Sequence, residues 1–187
     1  MVEVNTKYKM GIRRFGLINW IGMGALYNKE VLRFLNVWIQ TIFSPLTSSL
    51  LFLLVLSLAI GNDRGSVLGV SFISFLAPGL IAMQIIQQSF SHSSSSFMIG
   101  KIQGNIVDVL YAPLSSVEVT LAVSLAAVTR SIMIATISII TFHLIIDIQI
   151  QHFFLLVIFT FLSSFILGSL GIIVGLWAEK FDHMATA

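Results

Sequence analysis

Four long apolar runs alternate with short polar connections along the chain, at about 37–60, 70–97, 117–142 and 153–177. A helix crossing the bilayer needs about 20 mostly apolar residues, so the pattern predicts four transmembrane helices. Pro45 and Pro78-Gly79 interrupt the first two runs, which is tolerable where neighbouring helices satisfy the freed carbonyls. Gly61-Asn62-Asp63-Arg64-Gly65 reads as a turn, and His143 to His152 as a short loop. Ahead of the first run, residues 17–36 are amphipathic. Lys29, Arg33, Asn36 and Gln40 form one stripe, with Trp20, Tyr27, Val31, Phe34 and Leu35 largely opposite. That period predicts a helix with one wet face, suited to the membrane interface; the simpler alternative is an extended start of the first span. Between the second and third runs, 98–114 is less apolar. Ile102, Ile106, Val109 and Leu110 approximate helical spacing beside Lys101, Asn105 and Asp108, and Pro113 would end the helix. The residues alone allow either a short docking helix or an ordinary connector.

Composition narrows the class. Of 187 residues 57% are apolar, and the charged ones comprise 10 Lys or Arg and 8 Asp or Glu. Mean hydropathy is +0.98. A soluble domain carries roughly a quarter charged residues, and disordered chains are poor in apolar ones; both classes are excluded. A large soluble catalytic domain has no room. The expected architecture is therefore all-α integral membrane, with residues 1–187 as one transmembrane domain: an interfacial helix at 17–36, four spans and the 98–114 loop. About 36 residues precede the first run, so an uncleaved anchor is a better reading than a signal peptide. The chain has no cysteine.

Lys and Arg positions set an expected orientation. Lys7, Lys9, Arg13, Arg14, Lys29 and Arg33 precede the first span, Lys101 follows the second and Lys180 the fourth, against Arg64 alone on the other side. The positive-inside rule then places the N-terminus, the 98–114 loop and the C-terminus in the cytoplasm. The basic residues do not form a dense soluble run, so no nucleic-acid partner is expected. Membrane lipids are.

Some polar positions are costly in lipid and need explaining. Gln84, Gln87, Gln88, Ser91 and Ser95 share one helix face about 100° wide. The face must meet protein or water, as part of a translocation path or as hydrogen-bonded packing. Arg130 lies halfway along the third span, too central to reach an interface easily. Its expected partners are Gln side chains, freed carbonyls, lipid phosphate or residues outside this chain. Gly168, Gly171 and Gly175 thin one side of the fourth span for close helix packing. No catalytic or metal set is expected. The sequence lacks a GxxxxGKS/T phosphate loop and an HExxH motif, and His92, His143, His152 and His183 are scattered.

The run from Phe75 to Arg130 resembles the permease subunits of the ABC-2 family of ABC transporters. The residues that carry it are FLAPGLIAM (75–83), SSSSFMIGKIQGNIVDVLYAPLSSVEVTL (93–121) and the VTR ending at Arg130. ALYNKEVLRFLNVWIQTIFSPLTSSLLFL (25–53) is similar to that family's interfacial helix and first span, and GIIVGLWAEKFD (171–182) to the end of its fourth. The resemblance implies a drug-exporter-like permease of the bacterial cytoplasmic (inner) membrane. Such a subunit pairs with a second copy, as homo- or heterodimer, and is driven by a separate cytoplasmic ABC ATPase. ATP and magnesium are then expected on that partner, with no cofactor on this chain. Substrates would be drugs, lipids or lipid-linked glycans, moved by alternating access. The loop between spans two and three would be the ATPase-coupling segment, which maps onto Gly100, Lys101, Gly104, Asp108 and Pro113. Family permeases have six spans, so a chain ending at Ala187 is expected to be truncated at its C-terminus, with Arg130 separated from some of its partners. The competing reading is a non-transporting multi-span scaffold or assembly protein, in which the polar face serves packing alone.

Overall fold

The computed structural model describes residues 18–60, 71–146 and 152–178. The N-terminal basic residues Lys7 to Arg14, the Gly61–Gly65 turn, most of the loop before His152 and the tail from Glu179 lie outside the described residues. Six helices follow one another: α1 (Trp20–Leu35), α2 (Trp38–Ile60), α3 (Phe72–Ile102), α4 (Ile106–Tyr111), α5 (Ser116–Ile145) and α6 (Phe153–Trp177). No strand occurs among the described residues. α2, α3, α5 and α6 are each long and apolar enough to cross a membrane, as the hydropathy pattern predicts. The chain is a multi-pass membrane protein.

α3, α5 and α6 form a three-helix core, α1 packs along α5, and α2 stands at the edge, mainly against α3. Lipid is as apolar as the side chains, so close backbone approach replaces the hydrophobic drive between membrane helices. Small residues supply it. Ala122, Ala126, Ala127 and Ser131 of α5 are fully enclosed, as are Ser89 and Ser93 of α3 and Ser164 of α6. On α6 a β-carbon at Gly171 would lie 2.6 Å from the Phe90 carbonyl oxygen, and one at Gly175 2.7 Å from that of Ser94. Gly168 meets Ala127 and Ser93. A leucine-sized neighbour would hold the two backbones apart.

The second and third spans are longer than their apolar runs. α3 has 31 residues and α5 has 30. Each is about 45 Å long, against about 30 Å of hydrocarbon. α3 does not end near Phe97 but continues through Gly100 and Lys101 to Ile102. The serine run is compatible with this because its hydroxyls bond back to the helix: Ser94 donates to the Phe90 carbonyl at 2.9 Å, Ser95 to that of His92 at 3.1 Å. Gly100 and Lys101 therefore belong to a span's last turn rather than to a loop.

Gln84 ties the edge helix to the core. Its Nε2 donates to the Pro45 carbonyl of α2 at 2.7 Å, and its Oε1 accepts from Ser138 of α5 at 2.9 Å. Gln84→Leu is expected to lower stability by about 0.6–2 kcal/mol, read as a reduced thermal midpoint of the purified protein. An unchanged midpoint would mean that these bonds form equally well without α2 in place.

Candidate functional site

One end of the bundle gathers five helix termini. Gly104 adopts φ +75°, a left-handed conformation that glycine takes without a side-chain clash, and the chain reverses there from α3 into the six-residue α4. Ala112 is extended, as the residue before a proline tends to be, so α4 stops ahead of Pro113. α5 opens with a capping box: Ser115 Oγ accepts from the Glu118 amide and Glu118 Oε2 from the Ser115 amide. Glu118 has a second task. Its Oε1 accepts from the Asn19 amide at 2.5 Å. Asn19 caps α1 by accepting from Gly22, and its Nδ2 donates to the Pro113 carbonyl at 3.3 Å. One buried carboxylate thus clasps the start of α1, the end of the α4 segment and the start of α5. Across the same end, Lys101 Nζ donates to the Leu176 and Ala178 carbonyls. These are among the carbonyls that a helix C-terminus leaves without an intrahelical partner. The five coupling-loop residues consequently divide. Gly100 and Lys101 finish α3, Gly104 makes the turn, Asp108 is exposed on α4, and Pro113 joins the clasp. α4 itself turns Val107, Leu110 and Tyr111 outward, the last two at 74% and 86% exposure.

Beneath α1 lies a buried polar cluster. Glu30 is 4% exposed. Arg33 Nε donates to its Oε2 at 3.0 Å, and Arg33 Nη2 donates to the His92 carbonyl of α3 at 3.2 Å. His92 Nε2 sits 3.7 Å from the same carboxylate oxygen, and Phe34 meets the imidazole edge to face. Tyr27 and Thr129 share a hydrogen bond of 2.8 Å between α1 and α5. Arg33, on the expected wet stripe, is in fact turned inward. The reason is Glu30 one turn before it: Leu26 and Phe34 are buried on either side of Glu30, so the carboxylate is carried into the bundle and the guanidinium follows. Lys29 stays exposed, as do Trp20, Ile21 and Leu32, an outer face that suits a lipid interface.

The polar face of α3 does not act as one surface. Gln84 is engaged on both sides, and Gln88 Oε1 accepts from Arg130 Nη2 at 2.7 Å. Gln87 and Ser91 are exposed, while Ser95 bonds its own helix. Between α2 and α3 a groove of about 350 Å³ opens, lined by Ser44, Ser48 and Phe52 of α2 and by Met83, Gln87 and Gln88 of α3, with Gln84 at its floor. The structure thus brings Gln84, Gln87 and Gln88 to one groove with Arg130 bonded to the last of them. Ser91 and Ser95 are not part of its lining.

Sequence reasoning passed over Glu30, His92 as a packing partner, and the Asn19–Glu118 clasp. The Ser115-x-x-Glu118 capping box was readable, and so was the Glu30–Arg33 pair at i, i+3. Their partners on other helices are set by tertiary packing and left no local trace.

A family model described as ABC-2 type transporter matches residues 22–187. Among curated proteins, the chain is similar to the "Inner membrane transport permease YadH" of Escherichia coli strain K12, of Escherichia coli O157:H7 and of Shigella flexneri. Each is 28% identical over 166 residues, covering 89% of this chain. The chain spans about 65% of the length of these relatives. No solved structure matches the chain significantly. Four apolar helices, an intervening docking-sized helix and a match across all of them lead to one conclusion: the chain belongs to the ABC-2 type transporter family.

Proposed function

We propose that this chain is the membrane subunit of an ABC-type exporter in a bacterial inner membrane, with α4 facing the cytoplasm as the docking element for a separate ATPase. The observation that carries the reading is α4. It is short, presents Leu110 and Tyr111 outward, and is bonded through Pro113, Asn19 and Glu118 to the starts of α1 and α5. A push on α4 therefore reaches two helices at once, and α3 and α6 follow through Lys101. ATP and magnesium sit on the partner in this reading. The permease contributes two conformations that differ in their affinity for substrate, which is what alternating access requires. A second permease copy would complete the path, to which the α2–α3 groove contributes one wall. Relatives named as inner membrane transport permeases support the location and the activity.

The test is a paired substitution on the exposed face of α4. Leu110→Asp with Tyr111→Asp should abolish ATP-dependent export and association with the cognate ATPase. Both side chains are exposed, so thermal stability should change by no more than about 0.5 kcal/mol. Export at the unsubstituted rate would remove α4 from the docking role. The scaffold reading gains support from Gln84, whose amide is fully occupied in holding helices together; it predicts normal assembly with no transport under any condition.

A further inference from the structure

Arg130 carries a charge that no acidic side chain offsets. Among the described residues the carboxylates are Glu30, Asp108 and Glu118. Glu30 is taken by Arg33, Glu118 by the amides of Asn19 and Ser115, and Asp108 lies exposed on α4. Arg130 has Gln88 Oε1 on one nitrogen, while its Nε is buried without a hydrogen-bond partner. A cation inside a membrane bundle is costly unless an anion or water meets it, and its field is felt strongly through a low-dielectric interior.

The groove beside it is biased the same way. Gln88 has committed its oxygen to Arg130, so what its amide has left to give is the NH₂ group. Gln84 has its oxygen on Ser138 and one N–H on Pro45, which also leaves a donor. Phe52 and Met83 supply an apolar wall, and no acidic residue lines the groove. Donors polarised by a cation, next to an apolar surface, fit an oxygen-rich anion on an aliphatic body.

From this juxtaposition we infer that the α2–α3 groove takes an anionic amphiphile, a phosphate-headed chain, with Arg130 and Gln88 receiving the head and Phe52 and Met83 the body. This deepens the proposed transport path and rests on it. Arg130 alone would hold a phosphate as a single charge-assisted contact. With Gln88 and Gln84 the head gains a defined seat. The amphiphile could be a resident phospholipid or a transported molecule; both present the same head.

The test uses the absence of cysteine from the sequence. Ser48→Cys puts one thiol in the groove of the whole chain, held in phosphatidylcholine nanodiscs. Its reaction with a water-soluble maleimide is followed with decyl phosphate or decyl glucoside added below micelle formation. The thiol is expected to react, and decyl phosphate to protect it at concentrations about tenfold to a hundredfold below those needed for decyl glucoside, the worth of a hydrogen bond to a charged group. Arg130→Gln should erase that preference and Arg130→Lys should keep part of it. Protection by phosphatidylglycerol placed in the disc identifies a resident lipid; protection by decyl phosphate alone identifies a soluble amphiphile. A thiol that never reacts means a dry groove and overturns the path reading together with this one. A reactive thiol protected equally by both probes leaves the path reading standing and overturns the anion assignment. So does a preference that survives Arg130→Gln. The comparison of probes on the Arg130 background decides the matter even where Arg130→Gln fails to fold.

Discussion

Replacing Gly171 by leucine is expected to separate α3 from α6 and to leave little protein that purifies as a single folded species. Even the first carbon of the new side chain would lie 2.6 Å from the Phe90 carbonyl oxygen. The obstacle is helix backbone, which cannot swing aside as a long side chain could. Overpacking in a well-filled interior costs about 1–3 kcal/mol, and a backbone clash belongs at the upper end. Gly171→Ala should show the same sign at smaller size. Gly79→Ala is the control. Nothing lies within 4 Å of that position, and alanine is the better helix former. Size-exclusion profiles and thermal midpoints of the three variants would check the ranking. A Gly171→Leu protein as stable as Gly79→Ala would contradict the α3–α6 contact.

Glu30→Ala should have an effect of similar size by a different route. It removes the carboxylate that faces both Arg33 and His92. Breaking a buried pair by deleting one partner costs about 3–5 kcal/mol, because the other charge remains. Arg33 is 30% exposed at its side chain, so water reaches it and the lower end applies. Glu30→Ala combined with Arg33→Leu should recover part of the loss, since neither charge is then left alone. Recovery is read as a thermal midpoint between those of the parent and of Glu30→Ala. A double variant no better than Glu30→Ala would mean that the carboxylate matters for packing rather than for its pairing with Arg33.

The elements that were legible in the sequence are those that lipid dictates. A span must be apolar over about 20 residues whatever it packs against, so four runs of hydropathy sufficed for α2, α3, α5 and α6. The ends of the spans were harder. The polar stretch from Ser93 to Lys101 looks like a loop to a hydropathy argument. It is helix because serine hydroxyls bond their own backbone and because Gly171 and Gly175 let α6 lie against it. Gly171 and Gly175 announced close packing by their spacing, but which helix they faced did not follow from it. The polar face of α3 was visible as a pattern, yet its division into a tied Gln84 and Gln88 and an open Gln87 depends on Pro45, Ser138 and Arg130. Those lie 39, 54 and 42 residues away in the chain. Arg33 shows the same limit from the other side. On a helical wheel it belongs with Lys29, and only the burial of Glu30 turns it inward.

The coupling claim meets its most direct test in a crosslink at α4. Leu110→Cys introduces a single thiol at the outward face of α4, and Leu144→Cys places one near the far end of α5, 81% exposed. Each variant would be co-expressed with its cognate ATPase and treated in membranes with a short bis-maleimide. The account predicts a crosslinked product from position 110 that contains ATPase peptides and whose yield changes when ATP is added. It predicts none from position 144. A product from Leu144→Cys, or a thiol at 110 that reacts freely with the ATPase present and never joins it, would contradict the account.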